Sequence, residues 1–159
     1  MDYKIRKITE EEYRLLEHFL YEAIFVPEGM PAPPKSIVNQ PELKVYITDF
    51  GKKENDMGLV AQVGKEVVGA VWVRIMNDYG HIDDDTPSFA IALDEHYRGL
   101  GIGTALMKEM RYLLKSKGYH QASLAVQKAN EAAVRMYKKT GFEVFAENEE
   151  EYIMLCRLN

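Results

Sequence analysis

DEHYRGLGIGTALMKEM, residues 94–110, places three glycines within five positions directly before a segment with helical periodicity. Gly99, Gly101 and Gly103 alternate there with two bulky aliphatic residues. A glycine held in regular structure costs roughly 0.5–1 kcal/mol relative to alanine, so glycines at this density indicate that another group approaches the backbone closely. The stretch therefore predicts a binding loop at the start of a helix.

Three phosphate-binding patterns can be compared with this loop. A P-loop requires lysine and then serine or threonine after its last glycine, whereas threonine and alanine follow here. The dinucleotide pattern G-x-G-x-x-G is excluded because Thr104 or Leu106 stands where its third glycine belongs. The pattern Arg/Gln-x-x-G-x-G/A is met by Arg98, Gly101 and Gly103, and a helix N-terminus attracts anions through its free N–H groups and its dipole. A simple turn before the helix is the alternative.

The elements on both sides of this loop alternate between strands and helices. Apolar residues on both faces predict a central strand at 88–93. The helix that begins near Ile102 is expected to end at Gly118. Beyond it we predict a strand at 122–126, a helix at 130–140 that ends at Gly141, and a closing hairpin of strands at 142–146 and 152–158.

The chain begins with a strand and a helix. Residues 3–8 alternate apolar and polar side chains, which is typical of a half-buried strand. Thr9 and Glu12 have the spacing of a capping box that opens a helix. Most of the prolines then lie in the segment 26–36, which predicts an irregular loop.

Pro41 opens a second short helix that is expected to run through about Asp49. Two antiparallel strands follow Asp56 and turn near Gly64–Lys65. The complete order is β-α-α-β-β-β-α-β-α-β-β, which predicts a mixed sheet with helices packed on it.

Composition narrows the class of protein. The chain has 159 residues, which fits one domain over 1–159, and it is 47% hydrophobic and 28% charged, as expected of a globular enzyme. Its net charge of −5 disfavours a nucleic-acid partner. The single cysteine, the absence of an apolar leader and the absence of a long apolar run favour the cytoplasm and predict no membrane span. The four histidines are too scattered to predict a metal site.

A second motif follows the strand ASLAV. The segment QKANEAAVRMYKKTGFE carries Asn130, Tyr137 and Gly141-Phe142 at fixed offsets. Together with FAIAL and RGLGIG, this segment resembles the GNAT superfamily of acetyl-CoA-dependent N-acetyltransferases over roughly residues 56–157. The resemblance implies an α/β (α+β) fold with a mixed, mostly antiparallel central sheet of about seven strands flanked by four helices. It also implies acetyl-CoA as the acetyl donor.

The resemblance assigns donor-binding roles to two stretches of the chain. The backbone of Ile91, Ala92 and Leu93 would pair with the pantetheine arm, as an added strand does. The amide of Leu93 would also face the thioester carbonyl and stabilise the oxyanion. The pyrophosphate would lie on the loop formed by Arg98, Gly99, Leu100, Gly101, Ile102, Gly103 and Thr104.

Two residues of the second motif have alternative roles. The resemblance implies that the Asn130 side chain hydrogen-bonds the donor, whereas its spacing equally suits a helix N-cap. It also implies that Tyr137 protonates the departing thiolate, since a phenol with a pKa of about 10 is protonated at neutral pH. The alternative for Tyr137 is a core tyrosine with a satisfied hydroxyl.

The general base is not indicated by the motifs. Many family members carry glutamate at the start of the FAIAL-like strand or on the ASLAV-like strand, where this chain has Ser88 and Ala125. Local candidates are Asp94, Glu95, His96, His81, Asp83, Asp84 and Asp85, although for each a solvated loop residue is the alternative. Phe25, Glu28 and Met30 are candidates to line the acceptor cleft, and Trp72 or Tyr79 is a candidate to wall it, with the core as the alternative for Trp72.

The expected function is transfer of an acetyl group to an amine of a small molecule or peptide, by direct attack in a ternary complex. No nucleophile motif is present that would carry the acyl group covalently. The alternative is a non-catalytic acyl-CoA-binding sensor or subunit. We expect no metal and no nucleic-acid or membrane partner, and a homodimer through the C-terminal strands is plausible.

Overall fold

The computed structural model describes residues 2–158 and arranges them into seven strands and four α-helices. The strands are β1 (Lys4–Lys7), β2 (Met57–Val63), β3 (Glu66–Arg74), β4 (Ser88–Leu93), β5 (Gln121–Gln127), β6 (Phe142–Glu147) and β7 (Glu151–Arg157). The helices are α1 (Leu16–Glu22), α2 (Pro41–Lys44), α3 (Ile102–Ser116) and α4 (Glu131–Lys139), with 3₁₀ turns at Glu10–Leu15, Lys35–Asn39 and Glu95–Tyr97. The predicted order of elements is confirmed.

All seven strands form one sheet in the order β1-β2-β3-β4-β5-β7-β6. Neighbouring strands pair antiparallel except β4 and β5, which are parallel. The predicted mixed, mostly antiparallel sheet is therefore confirmed. Strand β6 lies at one edge of the sheet, where a second chain could pair with it. The dimer contact through the C-terminal strands stays a prediction.

The sheet separates two apolar clusters. Along β3, Val71 and Val73 face one cluster while Ala70 and Trp72 face the other, because successive side chains of a strand point to opposite sides. Helices α3 and α4 cover the first cluster, and α1 with the segment around α2 covers the second. The two clusters hold β4 rigidly between the layers of helices, which fixes the strand that carries the candidate site.

Several predicted boundaries are confirmed by the backbone. The Glu12 carboxylate accepts a hydrogen bond from the Thr9 N–H at 3.0 Å, as a capping box requires. Gly118 and Gly141 have φ values of 90° and 101° and end α3 and α4 in the left-handed conformation. The hairpin of β2 and β3 turns at Gly64–Lys65.

Two elements in the first half of the chain are shorter than predicted. The strand predicted at 3–8 is shorter, because the ladder to β2 runs only from Lys4 to Lys7. The helix predicted through Asp49 ends at Lys44 as α2 and continues as turns. The carbonyls of Val45 and Thr48 in these turns accept hydrogen bonds from the buried Arg74 guanidinium at 3.0 and 2.8 Å, so they are satisfied without further helix.

No helix within residues 2–158 has both the length and the apolar character that crossing a bilayer requires.

Candidate active site

The strands β4 and β5 diverge and leave a wedge in the middle of the sheet. Among the described residues, they pair only at Ser88 and Ser123. The Asp94 N–H donates to the Val68 carbonyl at 2.8 Å, and this bond sets the alternation of the ladder between β3 and β4. The N–H groups of Ile91 and Leu93 therefore point away from β3 and into the wedge. An extended ligand can add to this edge as a strand would.

The same alternation turns the backbone of Ala92 toward β3, where it pairs with Ala70. Its methyl group is buried in the second cluster. Of the three β4 residues expected to bind the donor arm, Ile91 and Leu93 thus offer backbone groups to the wedge and Ala92 does not.

The glycine-rich loop leads from β4 into the N-terminus of α3. Gly99 and Gly101 have φ values of 74° and 86°, and a Cβ on either would meet no atom within 4 Å. The first helical bond joins the Ala105 N–H to the Gly101 carbonyl at 3.1 Å, and no side chain caps the helix. The three preceding N–H groups, those of Ile102, Gly103 and Thr104, consequently make no hydrogen bond within residues 2–158.

At Gly103, close packing rather than a positive φ requires glycine. A Cβ at this position would lie 3.1 Å from the Met136 sulfur and 3.3 Å from Leu93 Cδ1. The missing side chain thus allows α3 to pack closely on α4 and β4. This contact brings the start of α3 beside the end of β4.

Arg98 is fixed at the entrance to the loop by atoms of the chain. Its guanidinium donates to the Leu93 carbonyl at 3.0 Å and to the Glu22 carboxylate at 3.2 Å. Nearby, His18 Nε2 and an Asp94 carboxylate oxygen are hydrogen-bonded at 2.6 Å, and one nitrogen or oxygen atom from each of His18, Glu22 and Asp94 lies within 4.8 Å of the other two. These contacts join α1 to β4, and the sequence analysis missed them because α1 and Asp94 are far apart along the chain.

A cavity of about 700 Å³ opens at the wedge, lined by α1 and the segment around α2 and also by α4. Of the predicted site residues, Ile91, Asn130 and Tyr137 line this cavity. Leu93 and the loop from Arg98 to Thr104 do not line it. The lining residues are Leu20, Ala23, Ile24, Phe25, Ile37, Gln40, Glu42, Leu43, Tyr46, Asn77, Asp78, Tyr79, Phe89, Ala90, Ile91, Ala125, Val126, Gln127, Asn130, Tyr137 and Glu151.

Asn130 and Tyr137 approach this cavity from α4. The Asn130 side chain accepts a long hydrogen bond of 3.4 Å from the Ala133 N–H, which confirms the N-cap interpretation and leaves its amide NH₂ free to donate. The Tyr137 ring packs edge-on against Phe142, with 6.2 Å between the ring centroids. Burial alone raises the pKa of Tyr137 to about 12, so its hydroxyl keeps its proton at neutral pH.

A partly buried polar network contributes Tyr46 and Asp78 to the wall of the cavity. The Asp78 carboxylate accepts hydrogen bonds from the Tyr46 hydroxyl at 2.9 Å and from the Ser88 hydroxyl at 3.2 Å. The Ser123 hydroxyl lies 3.3 Å from that of Ser88 and donates to the Gly80 carbonyl at 2.7 Å. Burial raises the pKa of Asp78 despite the two donors.

The chain matches the profile of the acetyltransferase (GNAT) family over residues 16–142. It belongs to the GNAT family. It is 32% identical over 114 residues to an N-alpha-acetyltransferase of Sulfurisphaera tokodaii, covering 62% of this chain and 68% of that protein. It is 34% identical over 110 residues to an acetyltransferase of Sodalis glossinidius, covering 67% and 69%. The chain is therefore an acyltransferase.

Solved structures share the fold. The PaiA N-acetyltransferase of Thermoplasma acidophilum, in complex with coenzyme A, superimposes with a TM-score of 0.73 at 20% identity and 99% coverage of both chains. A GNAT acetyltransferase of Streptococcus pneumoniae gives 0.71 at 19% identity, covering 99% of this chain and 100% of that one. At these identities the likeness concerns the GNAT fold alone.

The base candidates from the sequence lie outside the cavity of this GNAT chain. Asp94 is paired with His18, and Asp83 caps its own loop by accepting from Thr86 at 2.7 Å. The carboxylates that do line the cavity are those of Asp78, Glu151 and Glu42. Asp78 stands in the same acidic loop as the residues named from the sequence, but nothing in its local pattern distinguishes it from them.

The candidates for the acceptor cleft differ in where the structure places them. Phe25 and Tyr79 line the cavity, whereas Glu28 and Met30 do not. Trp72 is fully buried and donates its indole N–H to the Tyr46 carbonyl at 3.0 Å. Trp72 is thus a core residue of this GNAT chain and positions the segment that carries Tyr46.

Proposed function

We propose that this acyltransferase moves the acetyl group of acetyl-CoA to a primary amine by direct attack in a ternary complex. One observation carries the proposal: the open edge of β4 runs from the uncapped start of α3 into the cavity that Tyr137 lines. Because both substrates would meet on one sheet, we propose that a single domain performs the reaction. We place it in the cytoplasm, where a free thiol such as that of Cys156 is stable.

The wedge and the loop suit the two ends of the donor. The N–H group of Leu93, at the end of β4 nearest the loop, can bond to an amide of an extended arm. A pyrophosphate can accept from the N–H groups at the start of α3, because Gly99 and Gly101 leave space for it. The proposed donor site comprises Ile91, Leu93, Arg98, Gly99, Leu100, Gly101, Ile102, Gly103, Thr104 and Asn130.

Two residues of the chain would stabilise the reaction. The Ile91 N–H would donate to the carbonyl oxygen as negative charge develops on it, an effect worth about 2.7–4 kcal/mol for comparable donors. Ile91 takes the role that the sequence suggested for Leu93, because Ile91 lines the cavity with Tyr137 and Leu93 does not. Tyr137 would give its proton to the departing sulfur, and its raised pKa keeps that proton available. The thioester supplies the activated acetyl group, and the rate would otherwise come from holding the two substrates together.

The charges around the cavity favour a cationic acceptor. Three lining residues, Glu42, Asp78 and Glu151, carry carboxylates, and neither lysine nor arginine is among the residues that the structure places there. The remaining wall is mainly aliphatic and aromatic. A primary amine with an apolar body matches this combination, because its ammonium group is attracted by the carboxylates.

The proposal is tested by incubating the purified protein with acetyl-CoA and a panel of primary amines. We expect release of free thiol above the amine-free background and a product heavier by one acetyl group. Tight binding of CoA without thiol release from any amine would contradict the proposal and would support a non-catalytic acyl-CoA sensor.

Replacing Gly101 with alanine is expected to weaken CoA binding. The φ of 86° at Gly101 strains an L-residue, and the new methyl group would project into the space proposed for the pyrophosphate. We expect a loss of about tenfold in affinity, or about 1.4 kcal/mol, measured by calorimetric titration with CoA.

Gly118→Ala is the matched control. Gly118 lies just beyond the opposite end of α3, has a φ of 90°, and also has no atom within 4 Å of an added Cβ. Both variants should lose similar thermal stability, but only Gly101→Ala should bind CoA more weakly. Equal CoA affinities for the two variants would rule out the proposed pyrophosphate site.

A further inference from the structure

Among the carboxylates that line the cavity, that of Asp78 accepts the most hydrogen bonds from other described residues. One of its oxygens accepts from Tyr46 at 2.9 Å and the other accepts from Ser88 at 3.2 Å. A carboxylate oxygen can accept more than one hydrogen bond, so both oxygens keep capacity for a ligand. Since Asp78 also lines the cavity, that capacity is directed toward the acceptor space.

We propose that Asp78 is a catalytic residue that binds the ammonium group of the acceptor and removes its proton. The proposal rests on the function proposed above, because it concerns the acceptor side of the same reaction. Ser88 begins β4, and Phe89, Ala90 and Ile91 continue along the cavity wall. The Asp78 carboxylate is thereby placed beside the strand that would hold the thioester, as a base for the attacking nitrogen must be.

The other titratable groups of this wall are less suited to the role. Tyr46 and Tyr137 both have raised pKa values, so both remain proton donors at neutral pH. Glu151, at the start of β7, faces the same network, since its charge and that of Asp78 both raise the pKa of Tyr46. No hydrogen bond from another described residue orients the Glu151 carboxylate, whereas two donors fix that of Asp78. Burial makes Asp78 a stronger base than an exposed aspartate by raising its pKa.

The proton balance assigns one role to Asp78 and one to Tyr137. The ammonium ion loses a first proton to Asp78, which passes it to water, and the neutral nitrogen forms a bond to the carbonyl carbon. As the carbon–sulfur bond breaks, Tyr137 gives its proton to the sulfur. The second proton of the nitrogen then returns to the Tyr137 phenolate. The products are an N-acetyl amide, a free thiol and one proton released to solvent.

The variant Asp78→Asn tests the proposal. The substrate is the amine, chosen from a set of n-alkylamines and phenethylamine, that the wild-type protein acetylates fastest. Asparagine keeps the size of the side chain and can still bond to Tyr46 and Ser88. We expect kcat/KM at neutral pH to fall about 10²-fold, as for loss of a general base, with CoA affinity unchanged. Asp49→Asn, a change at an exposed carboxylate outside the cavity, is the control and should retain wild-type kcat/KM.

The pH profile separates a base from a structural residue. Wild-type kcat/KM should fall as the pH drops through the pKa of Asp78, and Asp78→Asn should lack this limb. Tyr46→Phe removes a hydrogen bond that lowers that pKa, so it should move the limb to higher pH.

The outcomes distinguish the two proposals. A wild-type protein that acetylates none of the amines overturns both the proposed function and the role of Asp78. Turnover that is unchanged in Asp78→Asn, or an acidic limb that stays in place in Tyr46→Phe, overturns the role of Asp78 alone.

Discussion

Replacing Tyr137 with phenylalanine is expected to lower kcat about 10²-fold while leaving the affinity for CoA unchanged. The change removes only the hydroxyl, so the ring contact with Phe142 is preserved. Without the phenol, the departing thiolate must take its proton from water, which is a poorer and less well positioned acid. Steady-state kinetics with saturating amine and calorimetric titration with CoA measure the two quantities separately.

Tyr112→Phe is the control for this experiment. Tyr112 lies on α3 with 74% of its surface exposed, so loss of its hydroxyl should change neither kcat nor CoA affinity. If Tyr137→Phe kept wild-type kcat, the acid role would be wrong and the core-tyrosine alternative would stand. A parallel loss of CoA affinity and kcat would point instead to a packing role.

The raised pKa of Tyr137 also predicts the shape of the alkaline side of the kcat profile. An acid acts only while it is protonated, so its contribution is lost as the pH rises through its pKa. An ordinary phenol would lose its proton near pH 10, whereas Tyr137 has a pKa of about 12 because it is buried. We therefore expect no alkaline fall in kcat up to about pH 10 from this group. A fall below that pH which disappears in Tyr137→Phe would contradict the raised pKa.

The donor half of the candidate site could be predicted from the sequence because its signals are local. The glycines of the loop, the helix after them and the apolar strand before them all lie within residues 88–118. A positive φ, such as that of Gly101, favours glycine, so this conformation can be recognised from a short stretch of sequence. The same reasoning located Asn130 at the start of α4, where it is the N-cap.

The acceptor half could not be predicted because it depends on contacts between distant segments. The Tyr46 hydroxyl reaches Asp78 across 32 residues, and His18 reaches Asp94 across 76. The acidic loop before β4 offered several carboxylates of similar local pattern, and only the folded chain shows which one turns into the cavity. The register between β3 and β4 must likewise be known before the backbone of Ile91 and Leu93 can be assigned to the wedge and that of Ala92 to the β3 side.

Replacing Arg74 with leucine is expected to lower the free energy of unfolding by about 3–5 kcal/mol, because the change leaves a buried carboxylate without its cation. The Arg74 and Asp56 side chains are 5% and 0% exposed and are joined by two hydrogen bonds of 3.1 Å. The same guanidinium donates to the carbonyls of Val45 and Thr48. Urea denaturation followed by far-ultraviolet circular dichroism measures the loss.

Arg6→Leu is the matched control for this prediction. Arg6 also pairs with a carboxylate, that of Glu12 at 2.7 Å, but its side chain is 30% exposed. Solvent weakens a partly exposed pair, and Glu12 can still reach water when Arg6 is lost, so Arg6→Leu should cost less than Arg74→Leu. Equal losses in the two variants would show that burial does not decide the strength of these pairs.

Loss of Arg74 should also change the pH dependence of turnover. Val45 and Thr48 flank Tyr46 along the chain, and Arg74 holds both of their carbonyls. Without this anchor the Tyr46 hydroxyl would no longer be fixed against Asp78. At a temperature where Arg74→Leu is still folded, we therefore expect the acidic limb of its kcat/KM profile to move to higher pH, in the same direction as in Tyr46→Phe. A wild-type profile in folded Arg74→Leu would show that Tyr46 is positioned without Arg74, by the Trp72 indole that bonds to its carbonyl.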